Sequence, residues 1–391
     1  MSSARGLSPG QAAVGATRVA FLMAGVAMAT WASLVPFAKA RLSIEEGVLG
    51  ALLLCLGIGS IVAMPLSGTW AARFGCRRVM TLATLVICVT LPLLSRVSTV
   101  PWLALVLLIF GAAVGVLDCA MNIQAVTLER ATGRTMMSGF HGLFSLGGVL
   151  GAGGMSGLLS FGVNPWEASL VVATVLALLL LRVWPHFLPK QSSLEGRGGP
   201  LFAWPRGVVL SIGVVCFILF LVEGSVLDWS GVFLADVGGM ASSVAGLGYA
   251  AFAAAMTIGR LTGDRLVGWA GAKTVVVGGA LLAALGLAMT TFVASWPLAW
   301  LGYAVVGAGC ANIVPVLFSW AGQQNEMPES LAVPAITTMG YAGVLMGPAV
   351  IGFVAHGTSL TVAWLVLVAA LVGVALAAYR WRPIGYISAL R

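Results

Sequence analysis

Charged residues are scarce in this chain. Only 32 of its 391 residues are Asp, Glu, Lys or Arg, which is 8%, whereas soluble domains carry about 25% charge. The apolar fraction is 60% and the mean hydropathy is +1.05. No soluble fold of this size could bury so much apolar surface. The composition therefore excludes a cytosolic enzyme, a secreted domain and a disordered regulator, and it predicts an all-α membrane protein.

Several chemical motifs are absent as well. The sequence contains no G-x-x-x-x-G-K-[ST] phosphate-binding loop, which argues against an ATP-driven pump. None of the six Cys has a Cys-x-x-Cys neighbour, so we expect no metal site. An enzyme acting on lipids would need acids or histidines clustered at one interface, but His141, His186 and His356 fall in different apolar runs. We therefore predict no enzymatic activity, no metal and no cofactor.

Long apolar runs are what the sequence has instead. A transmembrane helix needs ~20 mostly apolar residues to cross a hydrocarbon core of ~30 Å. Twelve runs meet this requirement, and they predict twelve transmembrane helices: 17–38, 47–67, 79–95, 100–123, 137–162, 166–186, 207–229, 240–262, 274–294, 297–320, 333–356 and 360–380.

The few basic residues indicate the orientation of these spans. With the N-terminus inside, seventeen of the twenty Lys and Arg fall in cytoplasmic segments, and only Lys39, Arg41 and Arg96 fall in outer loops. This asymmetry accounts for the net charge of +8 without a nucleic-acid partner. Ala38-Lys39-Ala40 has the small-x-small form of a signal-peptide cleavage site, but the apolar run before it is long, so we expect it to be retained as the first span.

The chain repeats itself at half its length. A shift of 196 residues aligns Gly75 with Gly271 and Gly111 with Gly307. Six spans per half is an even number, so the two halves are predicted to be parallel six-helix repeats. We predict an N-terminal six-helix bundle over 1–186, a cytoplasmic linker over 187–205 and a C-terminal six-helix bundle over 206–391.

A motif follows the second span and reads Gly68-Thr69-Trp70-Ala71-Ala72-Arg73-Phe74-Gly75-Cys76-Arg77-Arg78. It resembles the G-x-x-x-D-R-x-G-R-R signature of the major facilitator superfamily, with Ala72 at the position of the signature Asp. The resemblance implies the major facilitator fold and a cytoplasmic gate, whereas positive-inside charge is the simpler explanation of the basic residues. The candidate gating residues are Gly68, Arg73, Gly75, Arg77, Arg78, Arg260, Asp264 and Arg265.

Arg260 has two possible roles. It ends the predicted eighth span, so we expect its side chain to extend to the cytoplasmic surface, with a gate ion pair as the alternative.

The fourth span carries a second resemblance. Leu117-Asp118-Cys119-Ala120-Met121-Asn122 is similar to the fucose permease group, in which an acid followed four residues later by Asn lies in the transport path. Longer stretches, such as Asp118 to Arg130, resemble a poorly characterised bacterial branch near that group. Fucose permeases also carry an Asp in the first span, four residues before a Pro. This chain has Pro36 but Ala32 at that position.

Asp118 is the first candidate for proton coupling. A charge at the centre of a membrane helix costs ~2.5–3.5 kcal/mol on insertion scales, so it is retained mainly where it is used or paired. Asn122 follows one turn later on the same face. A purely structural hydrogen-bonding role is the alternative.

Two further residues are candidates for proton coupling, Glu223 and His141. Glu223 is predicted to lie toward the outer end of the seventh span, deeper than Asp228, and His141 begins the fifth span from the same cytoplasmic side that Asp118 lies nearest. An imidazole titrates near neutral pH, although an interfacial His bonded to a loop carbonyl would look the same in sequence. The candidate substrate-binding residues are Asn122, Asn312, Trp31, Tyr249, Tyr303, Tyr341 and Asp228. Packing is the alternative for Asn312 and the four aromatic residues, and a position at the outer interface is the alternative for Asp228.

Glycine motifs bear on the direction of transport. Gly147-x-x-x-Gly151 in the fifth span is predicted to be a helix packing face. Proton-driven drug exporters carry Gly-x-x-x-Gly-Pro in the fifth span, but Ala152 stands at the Pro position here. The complete motif, Gly343-x-x-x-Gly347-Pro348, is in the eleventh span instead.

Together these features predict a secondary active transporter that moves a small organic solute across the bacterial inner membrane by alternating access. The resemblance to fucose permeases implies a sugar-like solute. We expect proton-coupled symport, a monomer in the lipid bilayer, both termini cytoplasmic, and small-molecule and proton partners only. Proton-coupled export of apolar compounds or drugs is the alternative, and a non-transporting sensor of the same fold is a further one.

Overall fold

The computed structural model describes residues 9–190, 204–236, 239, 247–292 and 296–381. These residues form thirteen α-helices and one short 3-10 helix, and the described part of the chain contains no strand. The helices are α1 (Pro9–Leu42), α2 (Glu46–Phe74), α3 (Cys76–Arg96), α4 (Val100–Thr132), α5 (Met137–Ser160), α6 (Pro165–Val183), α7 (Gly207–Asp236), α8 (Leu247–Ala270), α9 (Ala272–Phe292), α10 (Trp296–Cys310), α11 (Ile313–Gln323), α12 (Glu329–Gly357) and α13 (Leu360–Arg380). The 3-10 helix, Trp184–His186, follows α6.

Each of the twelve predicted spans is mainly helical in its described part; the fifth ends in a turn at 161–162, and α10 and α11 together form the tenth span. Eleven segments are long and apolar enough to cross a membrane by length and composition. The helix of the eighth span, Leu247–Ala270, is long enough but not apolar enough, because Arg260, Asp264 and Arg265 lower its mean hydropathy. Residues 240–246 of the predicted eighth span, and 191–203 of the predicted linker, lie outside the described residues.

Helices extend beyond the predicted spans because polar residues can continue a helix once it leaves the apolar region. Helix α2 runs to Phe74 instead of residue 67, so most of the Gly68 motif is helical rather than a loop. A single residue, Gly75, separates α2 from α3 with φ of +83°. Only glycine adopts this conformation at little cost, which gives Gly75 a structural reason to be present.

Contacts divide the chain into two compact units. Unit 1 comprises 1–133, 143–204 and 328–334, and unit 2 comprises 134–142, 205–327 and 335–391. Helix α5 therefore begins in unit 2 and continues in unit 1, whereas α12 begins in unit 1 and continues in unit 2.

The same helix pairings occur within each unit. In unit 1, α4 packs on α2 and α3, and α3 packs on α6; in unit 2, α10 packs on α8 and α9, and α9 packs on α13. One contact recurs at the 196-residue shift: a Cβ on Gly111 would collide with the carbonyl oxygen of Leu56, and one on Gly307 with that of Phe252. The two parallel repeats predicted from the sequence are thus present in the packing.

The predicted glycine packing face of α5 is confirmed, and α12 has a similar one that the sequence did not indicate. In unit 1, Gly147 and Gly151 of α5 lie against the backbone of α1, and a Cβ on Gly147 would collide with the carbonyl oxygen of Leu22. In unit 2, Gly343 and Gly347 of α12 lie against the backbone of α7 in the same manner. Small residues of this kind allow membrane helices to approach closely.

Candidate functional site

The tenth span is broken in its middle. Helix α10 ends at Cys310 and α11 begins at Ile313, with Ala311 and Asn312 forming a turn between them. Pro315 explains the break, because the residue at this position would normally donate its N–H to the carbonyl of Ala311, and proline has no N–H. The Ala311 carbonyl instead accepts a hydrogen bond from Nε of Arg260 at 3.3 Å.

The turn is held by a second contact to α8. Nδ2 of Asn312 donates to the carbonyl oxygen of Gly259 at 3.0 Å. Oδ1 of the same side chain is buried and has no hydrogen-bond partner among the described residues. Interrupted helices place backbone polar groups inside a membrane protein and frequently form the substrate sites of transporters.

Arg260 forms an ion pair with Glu223 of α7. Its Nη2 lies 3.4 Å and 3.5 Å from the two carboxylate oxygens, and the two side chains are only 9% and 15% exposed. Glu223 is near the middle of α7 and Arg260 near the middle of α8. The expectation that Arg260 extends to the surface is therefore wrong, because its guanidinium turns inward to the carboxylate and to the freed carbonyl at the helix break.

The start of α5 lies beside this ion pair within unit 2. Gly142 packs directly on the backbone of α8, where a Cβ would lie 3.1 Å from the carbonyl carbon of Arg260. The ring of the preceding residue, His141, lies 5.7 Å from that of Phe318 on α11, and Arg260 is an electrostatic neighbour of this imidazole. The structure thus brings together Glu223, Arg260 and His141 at the helix break.

Asp264 holds the first turn of α5. Its carboxylate accepts the N–H of Gly139 at 3.0 Å, and its backbone carbonyl accepts the hydroxyl of Thr135 at 3.3 Å. A carboxylate at a helix N-terminus pairs with otherwise unbonded N–H groups and with the helix dipole. Asp264 is one of the predicted gating residues.

Asp118 and Asn122 form a separate pair on α4 in unit 1. Nδ2 of Asn122 donates to the backbone carbonyl of Asp118 at 2.9 Å and approaches its Oδ1 at 3.5 Å. Asn122 is buried, whereas Asp118 is half-buried. The predicted same-face arrangement is thus present, with the amide hydrogen-bonded mainly to the helix backbone.

The first residues of α12 pack on the Gly68 motif within unit 1. A Cβ on Gly68 would collide with the carbonyl oxygen of Ser330. The neighbouring Glu329 accepts hydrogen bonds from Nη1 of Arg130 and, at 3.3 Å, from the hydroxyl of Thr127.

These contacts border a pocket of ≈ 510 Å³. Its lining includes Ala72, Cys76, Arg130 and Glu329. An acid is therefore present beside the position where the signature Asp is missing, but it belongs to α12.

The remaining basic residues of the Gly68 motif differ in their contacts and exposure. Arg77 donates to the carbonyls of Phe187 and Pro185 at 2.9 and 2.6 Å, which fastens the segment after α6. Arg73 is exposed and lies over the ring of the adjacent Phe74. Arg78 is exposed, as is Arg265 of α8.

The predicted substrate-binding aromatic residues occupy different surroundings. Tyr303 is completely buried and Trp31 is 3% exposed, so both belong to the packed interior of their units. Tyr249 and Tyr341 are half-buried, and Asp228 is exposed near the end of α7.

Three residues of these networks were not singled out from the sequence. Gln124 is completely buried, and it donates to Oγ1 of Thr17 and accepts the N–H of Leu188, each at 2.8 Å. Glu329 and Arg130 form the ion pair described above. Gln124 could have been found as an amide within an apolar run, whereas nothing local distinguishes Glu329 or Arg130 from other residues at a span end.

Comparisons with known proteins agree with this architecture. A sequence profile of the Major Facilitator Superfamily matches residues 19–327. An uncharacterised MFS-type transporter of Yersinia pestis is 52% identical over 358 residues, covering 92% of this chain and 93% of the relative.

Solved structures also match. The Escherichia coli fucose:proton symporter FucP superposes with a TM-score of 0.79 at 15% identity, covering 94% of this chain and 98% of that one. The human organic anion transporter MFSD10 superposes with a TM-score of 0.77 at 17% identity, covering 95% of this chain and all of that one. At these identities the structural likeness establishes the fold alone.

Proposed function

Because the chain belongs to the major facilitator superfamily, we propose that it is a secondary active transporter that couples the movement of a small organic solute to protons. The observation that carries this proposal is the Glu223–Arg260 ion pair, which lies near the middle of the apolar helix α7 and near the middle of α8. Charges at such depth are costly and are kept mainly where they serve transport. The helix break at Asn312 adds polar backbone and an amide to the same place.

Glu223 can exchange a proton while Arg260 remains charged. An arginine does not lose its proton in proteins, so only the carboxylate of the pair can carry one. Protonation of Glu223 would remove the negative charge that pairs with the guanidinium, and the charged group of a solute could take the place of that carboxylate. This gives a direct chemical link between proton binding and solute binding. Asp118 is a second candidate for proton coupling, since it is a carboxyl group within an apolar helix.

A polar, hydroxylated solute suits the site better than an apolar drug. The buried amide oxygen of Asn312 accepts no hydrogen bond from any described group. An apolar compound could not donate one to it, whereas a hydroxyl group could. The alternative of drug export drew on the Gly343-x-x-x-Gly347 motif of α12. Both glycines lie against the backbone of α7, so helix packing accounts for them.

The setting of this activity is part of the proposal. The distribution of Lys and Arg supports a bacterial inner-membrane location with both termini cytoplasmic. The parallel repeats support alternating access by rocking of two six-helix bundles, 1–186 and 206–391, joined by the 187–205 linker. We expect the monomer to be sufficient and protons and the solute to be its partners.

Proton movement in proteoliposomes tests the proposal. With a pH-sensitive dye inside the vesicles, a panel of sugars, hydroxy acids and apolar compounds is added outside, and at least one compound should drive proton entry. Glu223→Gln should abolish that movement, whereas Glu167→Gln, which alters an exposed residue of α6, should leave it unchanged. Proton coupling at this residue would be contradicted if a compound were taken up without a pH gradient and if the same uptake persisted in Glu223→Gln.

A further inference from the structure

The charges around the helix break constrain what can bind there. Within unit 2, the groups that interact electrostatically with Glu223 are Arg260 and Tyr249 from α8, Cys216 from its own helix and Cys310 from α10. His141 of α5 interacts in the same way with Arg260, and Asp228 of α7 with Tyr249. Arg260 is the one permanent cation in this described set, and the Glu223 carboxylate balances it.

A neutral solute would have to compete with a complete ion pair. Breaking a buried pair by leaving one charge without a partner is strongly unfavourable. If Glu223 takes up a proton, the guanidinium keeps its charge and loses this carboxylate as a counter-ion. The group that best replaces a carboxylate beside a guanidinium is another carboxylate, because its two oxygens match the two parallel N–H donors. A bound monoanion would restore the charge balance of the site.

Asn312 adds an independent requirement. Its Oδ1 is buried without a hydrogen-bond donor, although the side chain is fixed by its Nδ2 contact to Gly259. A buried acceptor without a donor costs free energy, and a ligand O–H or N–H would satisfy it. The turn that carries Asn312 also supplies the carbonyl bonded to Arg260, so the acceptor and the guanidinium belong to the same helix break.

We propose that the solute is a small hydroxylated organic monoanion, such as a hydroxy acid or a sugar acid, whose carboxylate replaces that of Glu223 on Arg260. Glu223 takes one proton from the same side of the membrane as the anion binds. The site therefore holds one positive and one negative charge before and after binding, and each anion is accompanied by one proton without net charge movement. This inference rests on the proposed function and adds the class of the solute.

Matched anionic and neutral probes test it on the purified protein. Thermal stabilisation is measured with D-glucuronate against D-glucose and with lactate against 1,2-propanediol, since ligand stabilisation follows concentration over Kd. We expect at least one acid to stabilise the protein and its neutral partner to have no effect. Because proton and anion binding are reciprocal, the affinity for that acid should rise as the pH falls from 8 to 5.5, by up to about tenfold per pH unit for one linked proton.

Two substitutions separate the roles of the pair. Glu223→Gln mimics the protonated carboxyl, so it should bind the acid about 5- to 150-fold more tightly at pH 8, the usual range of coupling between two ligands. Its affinity should no longer depend on pH. Arg260→Gln should lose binding, while Arg380→Gln, at an exposed position on α13, should bind as the wild type does. If Arg260→Gln fails to fold, the pH dependence of acid affinity in the wild type and in Glu223→Gln still tests whether the anion binds together with a proton on Glu223.

The outcomes distinguish this inference from the proposed function. Equal stabilisation by acid and neutral partner, a pH-independent affinity in the wild type, or no binding of either acid would overturn the inference. Proton movement driven by D-glucose and lost in Glu223→Gln would leave the proposed function standing and the inference refuted. Acid binding with the expected pH profile, but without proton movement in vesicles, would uphold the binding inference and refute coupled transport.

Discussion

The Glu329–Arg130 ion pair offers the sharpest test of the predicted gate at the Gly68 motif. Replacing Glu329 by Gln removes the negative charge but keeps an acceptor for the Thr127 hydroxyl. Arg130 is 54% exposed and Glu329 is 17% exposed, so water screens the pair, and we assign it the ~0.2–1 kcal/mol measured for exposed pairs. A loss of ~0.5–1 kcal/mol changes an opening equilibrium about two- to fivefold, since 1.4 kcal/mol corresponds to tenfold.

Cys76 provides the assay, because it lines the same pocket and is only 8% exposed. Modification by a maleimide should follow the population in which residues 328–334 have separated from the motif. Peptide-resolved mass spectrometry distinguishes Cys76 from the other five cysteines. We expect labelling to be about two- to fivefold faster in Glu329→Gln and unchanged in Glu167→Gln.

A double-mutant cycle isolates the interaction itself. Arg130→Gln should accelerate labelling by a similar factor, and the double variant should add little to either single change. Ala72→Asp, placed in the Glu329→Gln background, should not restore slow labelling, because position 72 lies on α2 and a pair with Arg130 on α4 would not hold α12. Unchanged labelling in Glu329→Gln would show that the ion pair does not hold residues 328–334 against the motif. Single effects that multiply in the double variant would show that the two side chains do not act through each other.

Three further predictions concern single residues. Gln124→Leu leaves the N–H of Leu188 without its acceptor, so it should cost ~1–3 kcal/mol and lower the thermal unfolding midpoint in detergent; an unchanged midpoint would contradict the structural role of the amide. Asp118→Asn should abolish or uncouple pH-driven transport if its carboxyl carries a proton, and normal transport with the same pH dependence would remove it from the coupling mechanism. Pro315→Ala restores an N–H that can bond to the carbonyl of Ala311, so it should slow transport while stabilising the protein, and unaltered transport would show that the helix break is not required.

The spans and the repeat could be predicted because both depend on local composition. A run of about 20 apolar residues has only one stable solution in lipid, which is a helix that satisfies its own backbone. Gly111 and Gly307 could be matched because close helix contact requires the absence of a side chain at each. The helix ends were less predictable, as α2 shows by continuing to Phe74.

The ion pairs could not be predicted because their partners are distant in sequence. Glu223 and Arg260 are separated by 37 residues, and Glu329 and Arg130 by 199. Hydropathy alone placed Arg260 at the end of a span, where a long side chain normally reaches water. The freed carbonyl of Ala311 and the carboxylate on α7 draw it inward instead.

The two repeats have diverged at the position that breaks the tenth span. At the 196-residue shift Pro315 corresponds to Cys119, and α4 runs unbroken from Val100 to Thr132. The unbroken helix of unit 1 carries its own acid, Asp118, whereas unit 2 has a broken helix and an acid on α7 that is paired with an arginine. A proline within a helix removes one backbone hydrogen bond. Pro315 therefore leaves the carbonyl of Ala311 available as the acceptor for Arg260. Cys119→Pro should therefore not reproduce the arrangement in unit 1, where no arginine stands in the role of Arg260 among the described residues, and it should destabilise α4 by ~3 kcal/mol or more.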